Sequence, residues 1–227
     1  MAFDLLLLHA PSVYDFRKKA ILYGPVSDLI PPSHVFEMYP IGFASIAEYL
    51  EKAGYRVRIT NLAVRMLRDR KFDAEQQIKQ LKSRVFGIDL HWMVHCHGAI
   101  EVARIVKKHH PEAKVVFGGF SSSYFYQELR QHPEVDYVIR GDSTEEPFRQ
   151  LMDCTLKNKE PETVPNLVWR DSRGNIRENP FTHVPAELND VMVNHYSSII
   201  RSVIRYGDLL SYIPFPDWLR YPITAVL

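Results

Sequence analysis

Apolar residues in this chain come in short unbroken runs, each closed by a polar or glycine-bearing tail, and the runs alternate with stretches of helical period. Phe3 to Leu8 is the first run and ends at His9-Ala10-Pro11. Arg56 to Leu62, Val85 to Leu90, Lys114 to Phe117 and Asp136 to Ile139 are the next four. Runs of β-branched and aromatic residues without polar alternation predict strands covered on both faces, as in a parallel sheet. Between them, Gly42 to Ala53 places Phe43, Ile46, Ala47 and Leu50 on one helical stripe, with Gly54 closing it. Asp73 and Gln76 form a capping box for a helix carrying Ile78 and Leu81. Gly98 to His110 carries Ala99, Val102, Ala103 and Val106 on one face and stops at Pro111. A short helix is expected around Tyr124 to Arg130. Ser143 with Glu146 boxes the start of a last helix bearing Phe148, Leu151 and Met152.

Five β-then-α units predict one right-handed, doubly wound α/β domain over residues 1–160, its five strands parallel. Residues 161–227 are expected to add a β-hairpin about a Ser-Arg-Gly-Asn turn and a helical tail from Val191 to Ile213. Ser12 to Pro40 reads as a long proline-bearing loop, and a loop of that length in a compact fold is either functional or wrongly assigned. Tyr221 to Leu227 looks like the entry to a further strand, from which we expect the chain to be the front part of a longer protein.

Bulk composition excludes more than it selects. Hydrophobic residues make up 46% and charged residues 24%, with a formal net charge of +1, which gives no reason to expect nucleic acid or a lipid surface as partner. The first apolar run is too short for a signal peptide, and nothing approaches the roughly 20 apolar residues of a membrane span. Cys96 and Cys154 are the two cysteines and fit a reducing compartment, so a cytoplasmic location is expected. There is no GxGxxG after the first strand and no Walker lysine loop, so dinucleotide and nucleoside-triphosphate readings lose their phosphate cradle. A phospho-receiver domain needs acids after the first strand and a lysine after the fifth. His-Ala-Pro and Arg-Gly-Asp stand there instead.

In open parallel sheets ligands bind beyond the carboxyl ends of the strands, so the tails carry the candidate chemistry. Gly118 and Gly119, followed by Phe120 and Ser121, let a flat or bulky ligand touch the backbone, or make a turn that needs positive φ. His91, His95 and His97, with Asp89 and Cys96, crowd potential metal ligands into one corner, at a spacing that matches no established zinc pattern. The plain alternative is a polar strand-to-helix corner. Asp89 and Leu90 end the third strand, and His91 and Trp92 directly continue it, so these two have the best chance of facing a ligand. Gly141, Asp142, Ser143 and Thr144 can bind a polar group at a helix start or simply cap it. Phe36 to Phe43, with Tyr39, Pro40 and Gly42 among them, sets aromatic and apolar residues just before the first helix and close to the end of the first strand, as a cleft wall or as packing under the loop.

Taken in order, these strings resemble the N-terminal cobalamin-binding domain of cobalamin-dependent radical S-adenosylmethionine proteins. The resemblance rests on the strand followed by Pro11, the helix start Pro40, Gly42 and Phe43, the string Glu48 to Tyr55, the Gly118-Gly119 turn and Val135 to Asp142. It implies a Rossmann- or flavodoxin-like strand order 2-1-3-4-5, with the corrin across the strand ends and its nucleotide tail in a cleft walled by Asp89, Gly118-Gly119 and Gly141 to Thr144. His9 and Pro11 would border it. Ser-x-Leu and Gly-Gly mark such folds; Asp89-Leu90-His91 stands in the first place, while the spacing to Gly118 fits. The loop that often supplies a lower cobalt ligand is missing after the first strand, so cobalt either has no protein ligand from below or takes an unusual one such as His91. S-Adenosylmethionine and a 4Fe-4S cluster are expected only in a longer full-length protein, with the radical module in cis, because the Cys-x-x-x-Cys-x-x-Cys run is absent here. Two rival readings remain. One is a binding module that has lost the corrin, with Tyr124, Phe125 and Tyr126 filling the cleft. The other is a metal-dependent enzyme built on His91, His95 and His97.

Overall fold

The computed structural model describes residues 3–18, 41–186 and 197–207. Strands β1 (Phe3–His9), β2 (Val57–Asn61), β3 (Ser83–Asp89), β4 (Lys114–Gly118) and β5 (Tyr137–Ile139) pair in parallel in the order β2-β1-β3-β4-β5. The expected hairpin forms from β6 (Leu167–Arg170) and β7 (Ile176–Glu178). It is not a separate appendage: β6 pairs antiparallel with β5, extending one sheet to seven strands.

The helices are α1 (Ile41–Lys52), α2 (Leu62–Arg68), α3 (Ala74–Gln80), α4 (Cys96–His109), α5 (Phe120–Tyr124), α6 (Tyr126–Leu129), α7 (Glu145–Leu156) and α8 (Ser197–Tyr206). They divide between the two sheet faces according to strand parity. Leu6, Leu8, Phe86, Ile88, Val115 and Phe117 meet Leu62, Met66, Ile78, Val102 and Val106 from α2, α3 and α4 on one face. Leu5, Leu7, Val85 and Val116 meet Phe43, Ala47 and Leu50 of α1 and Phe148, Leu151 and Met152 of α7 on the other. Alternate residues of each strand serve opposite cores, which is why the runs show no polar alternation.

Three local expectations are revised. The second strand stops at Asn61, whose Oδ1 accepts from the Val64 N–H at 3.0 Å and starts α2, a helix the sequence reading missed. Asp73 caps α3 as expected, accepting from the Gln76 N–H at 2.9 Å, but Ser143 does not cap α7. The N-cap there is Thr144, with no side-chain cap bond, because the Glu146 carboxylate turns to Tyr49 and Arg149 instead. The short helix after the glycine pair is two helical turns, α5 and α6, and begins at Phe120. Of the expected helical tail, α8 is described, with Tyr206 edge-on to Phe3 at 5.6 Å and beneath the Arg58 guanidinium at 4.4 Å; the rest lies outside the described residues.

Candidate functional site

Parity brings the polar strand ends together. His9 continues the face of Leu5 and Leu7, and Asp89 and Gly118 continue that of Val85 and Val116, so all three lie on the side covered by α1 and α7. Neighbouring strands place His9 beside Asp89, and Asp89 is the register partner of Gly118. His9 Nδ1 lies 2.9 and 2.8 Å from the two Asp89 oxygens, with His9 3% and Asp89 7% exposed. The Nδ1–H donates to the carboxylate, which fixes the ring's orientation and tautomer. His95 is also buried, its ring centroid 5.2 Å from that of His9.

The segment after β1 is strapped over this pair by α4. Gly98 allows the closest approach: a Cβ there would stand 1.7 Å from the Pro11 carbonyl oxygen. The Gly98 N–H donates to the Ser12 carbonyl at 3.2 Å, and the Tyr14 N–H donates to His97 Nδ1 at 3.2 Å. His91 points elsewhere, exposed, with its ring 6.4 Å from Phe120. His91, His95 and His97 therefore do not converge, and among the described residues no three His, Cys, Asp or Glu side chains are gathered to hold a metal ion. That corrects the three-histidine metal reading; the 3-10 turn Met93–His95 and the start of α4 rotate the rings apart.

The two glycines differ in kind. Gly119 has φ +105°, and a Cβ would meet the His91 N at 2.9 Å, so it is the tight turn where β3 and β4 tails touch. Gly118 would carry a Cβ into open space, leaving backbone uncovered next to Asp89. The serines that follow staple the tails. Ser121 Oγ donates to the His91 carbonyl at 2.9 Å, the Ser122 N–H to the Leu90 carbonyl at 3.0 Å, and the Gly141 N–H to Ser123 Oγ at 2.9 Å. Leu90 is buried in the α4-side core, and Asp142 is exposed. Pro11 is buried and Gly42 exposed; Tyr39 and Pro40 lie outside the described residues.

Across the crevice, α7 opens with buried Thr144 and Glu145, and Ser45 Oγ of α1 donates to Glu145 Oε1. Glu145 is not among the candidate residues read from the sequence. Arg140, buried at the end of β5, bonds Glu178 through Nη1 and the Asn179 carbonyl through Nη2 at 2.9 Å, and lies over the Tyr126 ring at 4.8 Å. Tyr126 is thereby turned toward the hairpin, and Tyr124 is 74% exposed, so these rings do not fill the crevice. Trp92, Met93 and Phe120 are exposed around the same strand ends.

A parallel sheet with an uncovered glycine backbone and a buried imidazole–carboxylate pair at its carboxyl edge defines a ligand-binding α/β domain. The B12 binding domain model matches residues 33–151, more than half of the chain, and the chain belongs to that family. It is 24% identical over 219 residues to cytidylyl-2-hydroxyethylphosphonate methyltransferase of Streptomyces wedmorensis, covering 90% of this chain and 40% of that protein. It is 26% identical over 152 residues to hopanoid C-3 methylase of Methylococcus capsulatus, covering 65% of this chain and 28% of that one. The fold resembles the radical S-adenosylmethionine methyltransferase TsrM from Kitasatospora setae, solved with cobalamin and a [4Fe-4S] cluster, at TM-score 0.58 and 17% identity, over 79% of this chain and 31% of TsrM. It also resembles the cobalamin-dependent S-adenosylmethionine radical enzyme OxsB, solved with aqua-cobalamin and S-adenosylmethionine, at TM-score 0.56 and 14% identity, over 81% of this chain and 23% of OxsB. The chain thus spans well under half the length of these relatives. Among the described residues, no helix is long and apolar enough to cross a membrane.

Proposed function

We propose that this chain holds cobalamin across the carboxyl ends of β1, β3, β4 and β5, as the cofactor-positioning part of a longer radical S-adenosylmethionine enzyme that transfers a methyl group. The observation that carries the reading is Gly118, whose missing side chain leaves backbone open beside the buried His9–Asp89 pair, on the face shared with α1 and α7. A bulky planar group needs such a side-chain-free floor. The residues present fit the group. Gly118 and the β3 tail form the floor, Trp92 and Phe120 offer apolar surface to a macrocycle, and Gly141 to Thr144 border the tail side.

Cobalamin supplies the methyl-carrying chemistry when bound, and the protein supplies position. His9, fixed by Asp89, keeps a polar ring under the floor. His91, exposed at the strand end, would be the histidine free to approach cobalt, whereas His9 is enclosed. The S-adenosylmethionine and 4Fe-4S sites belong to a radical module in cis, toward which residues 161–227 lead; the names of the relatives support this, as does the share of their length that lies beyond the match. The two free cysteines suit a cytoplasmic enzyme.

Titration of the purified chain with hydroxocobalamin, read by absorbance and by retention through desalting, tests the reading. A shifted spectrum and co-elution near one corrinoid per chain are expected. An unchanged spectrum with all colour in the small-molecule fraction would overturn it.

A further inference from the structure

Glu145 is 6% exposed at the first position of α7, a twelve-residue helix. Its Oε1 accepts from Ser45 Oγ across the α1–α7 seam, while its Oε2 is buried with no hydrogen-bond partner. Thr144 beside it is equally enclosed, yet its hydroxyl does not cap the helix. The helix dipole explains why an acid is tolerated in this turn. It does not explain an acceptor oxygen sealed from water without a donor, a costly arrangement that folded proteins usually avoid. Glu146, the next residue, shows the contrast: Tyr49 Oη, Arg149 and Gln150 all donate to it. Because α7 follows β5 and α1 enters the same layer, Glu145 and Ser45 stand over the face that His9, Asp89 and Gly118 continue.

We propose that Glu145 is a specificity residue for the bound corrinoid, accepting a hydrogen bond from a neutral donor of that ligand, either a primary carboxamide N–H on the ring periphery or a hydroxyl of the nucleotide tail. This rests on the cobalamin reading and adds to it a residue outside the glycine turn and the β3 tail. An acceptor-only carboxylate prefers a donor to an anion, so the site selects amide or hydroxyl over carboxylate at the same place. Ser45 orients the carboxylate by occupying Oε1, which leaves Oε2 for the ligand.

The test compares the wild-type chain with Glu145→Gln, which keeps an oxygen for Ser45 and converts the other position from acceptor to donor. Both are titrated with hydroxocobalamin and with aquacobinamide, which retains the ring carboxamides and lacks the nucleotide. Both are also melted without ligand. Glu145→Gln is expected to bind hydroxocobalamin about tenfold more weakly, with a ligand-free melting temperature no lower than wild type, because the buried acceptor without a donor is gone. Weakened binding of both corrinoids assigns the donor to the ring; weakened binding of hydroxocobalamin alone assigns it to the tail. Equal affinities of variant and wild type for both corrinoids would overturn the proposal. A lowered melting temperature would overturn it too, by showing that the carboxylate serves the α1–α7 seam. If the wild-type chain itself retains neither corrinoid, the cobalamin reading fails and takes this one with it, an outcome distinct from a mutation without effect.

Discussion

Adjacent glycines at the end of β4 make opposite predictions for the same substitution. At Gly119, φ +105° lies in a region that only glycine occupies readily, and a Cβ would meet His91 N at 2.9 Å and His91 Cα and Leu90 C at 3.0 Å. Those atoms are backbone, held by Leu90 N–H to Gly118 carbonyl at 2.8 Å and Ser122 N–H to Leu90 carbonyl at 3.0 Å. Gly119→Ala therefore incurs about 1–3 kcal/mol of backbone strain. Relief by parting the β3 and β4 tails loosens about two hydrogen bonds, at about 1 kcal/mol each. The sum, about 3–5 kcal/mol, corresponds to a fall of about 6–20 °C in Tm for a domain of this size. Gly118→Ala meets nothing within 4 Å and stiffens the unfolded chain, so ligand-free stability should hold or rise by about 0.4–1 kcal/mol. Its methyl group enters the space assigned to the corrinoid, so hydroxocobalamin binding should weaken. Circular-dichroism melts and cobalamin titrations of both variants separate the effects. A Gly119→Ala protein that melts like wild type, or a Gly118→Ala protein that loses as much stability as Gly119→Ala, would refute the division of labour.

Three further outcomes are expected. Asp89→Ala removes the partner of a buried imidazole and should cost about 2–4 kcal/mol in urea unfolding, whereas Asp89→Asn, which still accepts at one oxygen, should cost less. Glu146 is held at a pKa of about 2, first by the Arg149 hydrogen bond and then by Gln150 and Tyr49, against the opposing effect of burial. A lowered folded pKa gives stability that is complete above the unfolded value near 4.5 and is lost as pH falls toward 2, so Glu146→Gln should lower stability at neutral pH, change little near pH 2, and thereby flatten the acid limb over that window. Arg140→Ala unties β5 from the hairpin by losing Glu178, the Asn179 carbonyl and the Tyr126 ring. Hydrogen exchange should rise across β6 and β7 while β1 and β3 stay protected; uniform loss of protection would contradict that local role.

The five parallel strands were legible because each is an unbroken apolar run, a signal that survives without partners. The extension to seven was not, since the Leu167 to Glu178 hairpin looks the same in sequence whether it stands alone or borders β5. The histidine corner was legible as chemistry and misleading as geometry: His91 is exposed, His95 buried and His97 half-buried against the Tyr14 N–H, with a 3-10 turn and a helix start between them. The His9–Asp89 pair had a readable signal. Both residues end strands that the order 2-1-3 makes neighbours, on positions of the same parity. Glu145 had none, because an acid in a first helical turn is the commonest cap decoration, and only burial distinguishes it from Glu146.

Polarity at the strand-end face runs opposite to that of an ordinary surface. Trp92 at 49%, Phe120 at 65% and Tyr124 at 74% exposure stand in solvent, while His9, Asp89, Thr144 and Glu145 are enclosed beneath. Folding alone favours the reverse, since apolar side chains gain from burial and polar ones lose unless paired. Exposed apolar patches edged by polar groups mark interaction sites, and an amide-fringed macrocycle is a ligand whose faces would meet the rings and whose fringe would meet the buried acceptors. The chemistry-bearing residues are held by the protein's own contacts. Asp89, the serine staples and the Gly98 strap fix the floor in advance, so binding need not order it, and the remaining cost falls on the few side chains of the exposed rim.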